Sequence, residues 1–224
     1  HSEKSVLIPT RDITFLGFNL NTIEMTIRLP KEKQQGITQS CHDLLNKENP
    51  TIRNVAKVIG QLVASFPAVQ YGPLFYRALE KDKICALAMH KGHFDRHMTL
   101  SSESITEIKW WIANLNSQFS PIQRDNPVIE IHTDASGKGW GATCLGTSTG
   151  GRWNSHEMNE AKQNKINLLE TIAIAHGLKA FCSDKQNIHV LVRADNTTAI
   201  AYLNNMGGTK SCECNNLAIE IWKW

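Results

Sequence analysis

Apolar positions in this 224-residue chain keep two rhythms, a mainly helical one before about residue 125 and a strand-led one after it. Residues 13–29 (ITFLGFNLNTIEMTIRL) hold two apolar-rich runs around Asn19-Leu20-Asn21-Thr22, which predicts a β-hairpin closed by Leu29-Pro30. Helical spacing follows over about 31–47. Over about 51–66, Ile52, Val55, Ile59, Leu62, Val63 and Phe66 share one face and Pro67 ends the helix. A third helix is predicted from Pro73, a favourable first-turn residue, to the stop at Lys91-Gly92, with Leu74, Ala78, Leu87 and Ala88 among its apolar positions. Ser104-Ile-Thr-Glu107 reads as a capping box for a fourth, striped by Ile105, Ile108, Trp111, Ile112 and Leu115. Trp110 and Trp111 are neighbours and cannot both face the core squarely.

Residues 116–127 (NSQFSPIQRDNP) carry two prolines and several polar turn formers, as a linker between domains does. Beyond it the pattern is strand at about 128–134, 140–146 and 150–154, a long helix at about 161–182, strand at 188–193, a short helix at about 197–205 and a last helix. Three meandering strands, then a helix crossing to a strand parallel with the first, predict an α/β fold built on a mixed sheet.

Composition narrows this picture only modestly. At 41% hydrophobic residues, the chain can bury two modest cores. The formal charge of +3 sits in residues 1–125, which hold 15 Lys+Arg against 12 Asp+Glu, while the remainder is balanced at 9 and 9. That bias permits a nucleic-acid partner without requiring one. Six scattered cysteines, with only Cys212-Glu-Cys214 close together, read as reduced thiols of an intracellular protein, cytoplasmic or nuclear. No apolar run approaches the about 18 residues of a membrane span, so no membrane partner is expected. Both ends read as interrupted, because residues 220–224 keep a helical pattern with no stop signal.

Three acids stand out by position. Asp134 ends the first strand of the second part and Asp195 ends its fourth, so parallel, adjacent strands would bring both carboxylates to one sheet edge. Glu170 lies on the intervening helix, on a face shared with Ile166, Ala173 and Gly177 that should press on the sheet. A buried carboxylate there is costly unless a cation compensates it. Taken singly, Asp134 could cap a turn, Asp195 could cap the next helix and Glu170 could face water. His90, His93, His97 and His132 also catch the eye, but the first three straddle a glycine stop and read as solvated loop residues.

Thr133-Asp134-Ala-Ser-Gly-Lys-Gly-Trp-Gly-Ala142, then Asn167-Leu-Leu-Glu170, then Arg193-Ala-Asp195-Asn-Thr resemble the successive active-site motifs of retroelement ribonuclease H domains. The gaps are 36 residues from Asp134 to Glu170 and 25 from there to Asp195. Upstream, Thr14-Phe-Leu-Gly-Phe18 is similar to the primer-grip hairpin of reverse transcriptases, and residues 50–80 resemble their thumb and connection. Among such polyproteins the chain looks most like those of the DIRS group of tyrosine-recombinase retrotransposons.

The resemblance implies the end of a reverse-transcriptase palm at 1–30, a helical thumb and connection at 31–115, a linker at 116–127 and a ribonuclease H-like domain at 128–224. That domain would have strand order 3-2-1-4, with the fifth strand and the family's fourth acid beyond Trp224, leaving the fragment weak or inactive alone. It implies hydrolysis of the RNA strand of an RNA–DNA hybrid with two Mg²⁺ ions, or Mn²⁺, held by the catalytic acids Asp134, Glu170 and Asp195. Ala135, Ser136, Gly137, Asn167, Asn196 and Thr197 become candidate substrate contacts, and Phe15, Leu16, Gly17 and Phe18 candidate template-primer contacts. An upstream polymerase domain of the same polyprotein is the expected partner, since no Tyr-x-Asp-Asp motif occurs here. The competing readings are a domesticated, non-cutting nucleic-acid-binding remnant, and another nuclease or ATP-binding protein of similar sheet topology.

Overall fold

The computed structural model describes residues 6, 8–163 and 165–224, and divides the chain into compact units at 1–124 and 125–224. Residues 1–5 and 7 of the first predicted segment, and Asn164 of the predicted long helix, lie outside the described residues.

The first unit opens with β1 (Asp12–Phe15), β2 (Phe18–Asn21) and β3 (Thr26–Arg28), paired antiparallel in that order. The expected hairpin is therefore two hairpins, and Asn19-Leu20-Asn21 lie within a strand. The first turn is Leu16-Gly17, both at positive φ (49° and 77°), the condition for a two-residue turn matched to strand twist. Asn21 does start a turn, but the second one, its Oδ1 accepting from the backbone N–H groups of Ile23 and Glu24. A fourth strand, β4 (Ser120–Pro121), pairs with β3, so part of the stretch read as a linker completes this sheet.

Four helices build the core of this unit: α1 (Lys31–Leu45), α2 (Ile52–Ser65), α3 (Arg77–Met89) and α4 (Ser102–Asn114). Ile52, Val55, Ile59 and Leu62 are buried as their spacing predicts, together with Val58, whereas Val63 is exposed. Pro73 lies within a short 3₁₀ turn (Gly72–Leu74) rather than opening α3, which starts at Arg77 and buries Leu79 and Ala86. The N-cap of α4 is Ser101, whose Oγ accepts from the Ser104 N–H, so Ser104 and Glu107 are inside the helix rather than flanking its start. Glu107 caps a different helix, its two carboxylate oxygens accepting from the N–H groups of Ala78 and Leu79 at the start of α3. Burial pushes its carboxyl up to about 7 against those two bonds. Trp111 is fully buried and donates its indole N–H to the Phe75 carbonyl at 2.7 Å, while Trp110 is half-buried and stacks on the Phe75 ring at 4.0 Å.

The second unit holds β5 (Ile129–Ser136), β6 (Gly139–Cys144), β7 (Thr147–Arg152) and β8 (Val190–Arg193), in the order β7-β6-β5-β8. The three meandering strands are antiparallel and β8 runs parallel to β5, the 3-2-1-4 mixed sheet of a ribonuclease H-like fold. The predicted helix at 161–182 is two helices, α5 (Ser155–Lys162) and α6 (Ile166–Cys182). Helices α7 (Thr197–Asn204) and α8 (Cys212–Lys223) follow β8. Gly177 lets α6 lie close to the sheet: a Cβ there would stand 2.9 Å from Thr133 Cγ2 and 3.2 Å from Ala142 Cβ. All six cysteines are free, and no helix among the described residues is long and apolar enough to cross a membrane.

Candidate active site

Strand register places two of the acids. The parallel pairing of β5 with β8 ends at His132 opposite Arg193, so Asp134 and Asp195 each stand two residues beyond the last pair. Both are exposed at the same edge. Asp195 is free of the capping role open to it, because Asn196 is the N-cap of α7 and accepts from the Ala199 N–H. The third acid comes from the second turn of α6. Glu170, Ala173 and Gly177 face the sheet as expected, whereas Ile166 at the helix start is 41% exposed.

One carboxylate oxygen from each of Asp134, Glu170 and Asp195 lies within 4.8 Å of the others, the one such group of three possible ligands among the described residues. His90, His93, His97 and His132 form no comparable group; His97 instead bonds the Asn49 carbonyl and His132 pairs with Glu130. Glu170 is only 4% exposed, and its Oε2 has no hydrogen-bond partner. The backbone N–H of Ala135 donates to its carboxylate. An orphaned, buried carboxylate oxygen facing two further acids fits a hard divalent cation such as Mg²⁺ or Mn²⁺, which takes oxygen ligands.

Burial holds Glu170 at about 7 rather than its ordinary 4.5, the negative charges of Asp134 and Asp195 adding to the effect and the Ala135 N–H opposing it. The folded state therefore binds this proton more tightly than the unfolded chain. The resulting stabilisation is complete below pH 4.5 and is lost as pH rises to about 7. Its upper limit is about 3 kcal/mol. Thermal melts without metal should show this decline, Mn²⁺ should offset it at pH 7, and Glu170→Gln should remove the metal-sensitive part. Glu107 titrates over the same window, but its share is insensitive to Mn²⁺, so the difference between the two sets of melts isolates Glu170. An unchanged slope in Glu170→Gln would contradict the assignment.

The polar neighbours divide by what already occupies them. Asn196 uses Oδ1 for its cap, so its Nδ2 donates to Asn167 Oδ1 at 2.9 Å. That bond leaves the exposed Asn167 presenting its NH₂ group as a donor. Thr197 is exposed at the first turn of α7, and Gly137 is exposed in the β5–β6 turn. Ser136 is exposed but committed: its Oγ bonds within the turn and its carbonyl accepts from Trp153. In the first unit, the Leu16-Gly17 turn puts Phe15 and Leu16 in solvent at 57% and 80% exposure, and sets the Lys33 ammonium 5.1 Å from the Phe18 ring.

Sequence reasoning missed Trp153, Glu157 and His176. The spacing Asn154-x-x-Glu157 was the available signal, since the pair forms a reciprocal cap at the start of α5. Glu157 also bonds His176 of α6 at 3.0 Å, and the His176 ring tilts over Trp140.

No protein-family model matches the chain. No curated protein matches it either. Among the solved structures that resemble it are three of foamy viral protease-reverse transcriptase. The one in complex with RNA/DNA hybrid is 14% identical over 94% of this chain, with a TM-score of 0.39. Two in complex with double-stranded DNA are 14% and 16% identical over 95% and 85% of this chain, each with a TM-score of 0.36. The chain spans 28–38% of the length of those proteins. At such values the fold assignment rests on the strand order and register of the sheet itself.

Proposed function

We propose that the second unit is a ribonuclease H-type nuclease that hydrolyses the RNA strand of RNA–DNA hybrids with two Mg²⁺ ions, and that the chain belongs to a retroelement reverse transcriptase. The observation that carries this is the convergence of Asp134, Glu170 and Asp195 on a 3-2-1-4 mixed sheet, with the buried Glu170 Oε2 unpartnered. Cations bound there supply Lewis-acid charge to a phosphodiester and make a water more acidic. Asp134, Glu170 and Asp195 hold them, and the Ala135 N–H orients Glu170. The Asn167 NH₂ group, with Thr197 and the backbone at Gly137, is offered to substrate, where 2′-hydroxyls in a wide minor groove distinguish RNA. Phe15 and Leu16 at the first-unit hairpin tip are offered to template-primer, with polymerase chemistry assigned to an upstream domain of the same polyprotein. Placement in the DIRS group rests on the quoted motifs alone.

The test is a cleavage assay of the purified protein on labelled RNA–DNA hybrid, double-stranded RNA and double-stranded DNA, with Mg²⁺, Mn²⁺ or chelator. Metal-dependent cutting confined to the RNA of the hybrid is expected, weak or absent for residues 1–224 alone and restored in a chain extended through the expected fifth strand. Mn²⁺ binding without cutting, joined to retained hybrid affinity, would favour the non-cutting remnant. Neither binding nor cutting by the extended chain would end the nuclease assignment.

A further inference from the structure

We propose that Trp153 is a positioning residue for the carboxylate cluster, its indole N–H fixing the strand end that carries Asp134 against the helix turn that carries Glu170. This inference rests on the metal-binding reading of the site. Trp153 follows β7 directly and is 3% exposed. Its Nε1 donates to the Ser136 carbonyl at 2.7 Å, two residues beyond Asp134. Trp153 forms a buried cluster with Leu169 and Ala173 of α6, and Ala135, Trp140 and Ile172 pack against that cluster. Leu169 adjoins Glu170 and Ala135 adjoins Asp134, so the cluster that contains Trp153 takes in the neighbours of both acids.

Besides its pairing with β6, the end of β5 is held by two bonds: the Ala135 N–H to the Glu170 carboxylate, and the Ser136 carbonyl to Trp153. The indole is itself held from behind. Asn154, the next residue, caps α5 reciprocally with Glu157, and Glu157 bonds His176 on α6. The tie therefore runs from α6 through α5 to the β5 end. Outer partners that orient metal-binding carboxylates change metal affinity about 10–100-fold when removed.

The decisive comparison is Trp153→Phe against Trp140→Phe. Both shrink the same apolar cluster, but only the first removes the bond to Ser136. Trp153→Phe should weaken Mn²⁺ binding about 10-fold by calorimetry. In the metal-free protein it should also speed hydrogen exchange at the Ala135 amide, while Trp140→Phe leaves both within about twofold. If Trp153→Phe melts without cooperativity, site-specific benzothienylalanine at 153, which keeps the ring shape and lacks only the N–H, makes the same comparison. Equal shifts in the two variants, or none in either, overturn the positioning role while leaving the nuclease reading intact. A wild-type protein that binds no Mn²⁺ overturns both.

Discussion

Asp134→Asn, placed in a chain extended through the expected fifth strand, is expected to lower metal-dependent cleavage of hybrid RNA by more than about 100-fold, because loss of partners one layer further out already costs about 10–100-fold. Mn²⁺ affinity should fall with it. The same substitution should raise the melting temperature of the metal-free protein by a few degrees. Three carboxylate oxygens within 4.8 Å repel one another, and Asp134 is one of the charges that push Glu170 up to about 7. Removing it relieves repulsion on the order of 1 kcal/mol, discounted because Asp134 itself is exposed. Glu170 should then titrate closer to the ordinary carboxylate range. Opposite signs for function and metal-free stability are the signature of a site built for a cation. A variant that cuts as well as the wild type would remove Asp134 from the mechanism, and one that melts lower without metal would give it a structural job instead.

Trp111→Ala is expected to cost the first unit about 4 kcal/mol, the largest single-residue loss of stability in that unit, read from the urea midpoint by circular dichroism. The indole is fully buried, stacks on Phe66 at 6.4 Å and meets Trp110 edge-on at 5.7 Å. Gly72 gives it room, since a Cβ there would stand 2.8 Å from Trp111 Cη2. Truncation removes this packing and also leaves the Phe75 carbonyl without its 2.7 Å donor. Trp111→Phe, which keeps a ring but not the N–H, should cost about half as much. A loss below about 1 kcal/mol for the alanine variant would mean that the surrounding side chains close the space.

The candidate site was legible because its acids mark the ends of periodic elements. Asp134 closes an apolar strand, Asp195 closes another, and Glu170 interrupts an apolar helix face, so each is displaced from the pattern around it. Strand, strand, strand, helix, strand then left few orders for the sheet, given short connections and a right-handed crossover. Errors came where a local signal had a rival or a distant partner. Leu16-Gly17 outcompetes Asn19–Asn21 because a two-residue turn needs positive φ at both positions, and glycine supplies one at no steric cost. Ser104 and Glu107 matched a capping box, yet Glu107 serves the start of α3, 29 and 28 residues away in sequence from its two donors.

What the sequence by itself determined was the four strands of the second unit, the return of the last one parallel to the first, and which three acids interrupt the pattern at strand ends and on a helix face, because hydrophobic period and element ends are local properties. Only the tertiary structure decided that Glu170 is buried with an unpartnered oxygen, that Asn196 rather than Asp195 caps α7, and that the Trp153 indole donates to the Ser136 carbonyl just beyond Asp134. Those facts depend on which groups meet across the fold, and on the protein-wide burial that makes an unmade bond costly. No window of neighbouring residues contains either.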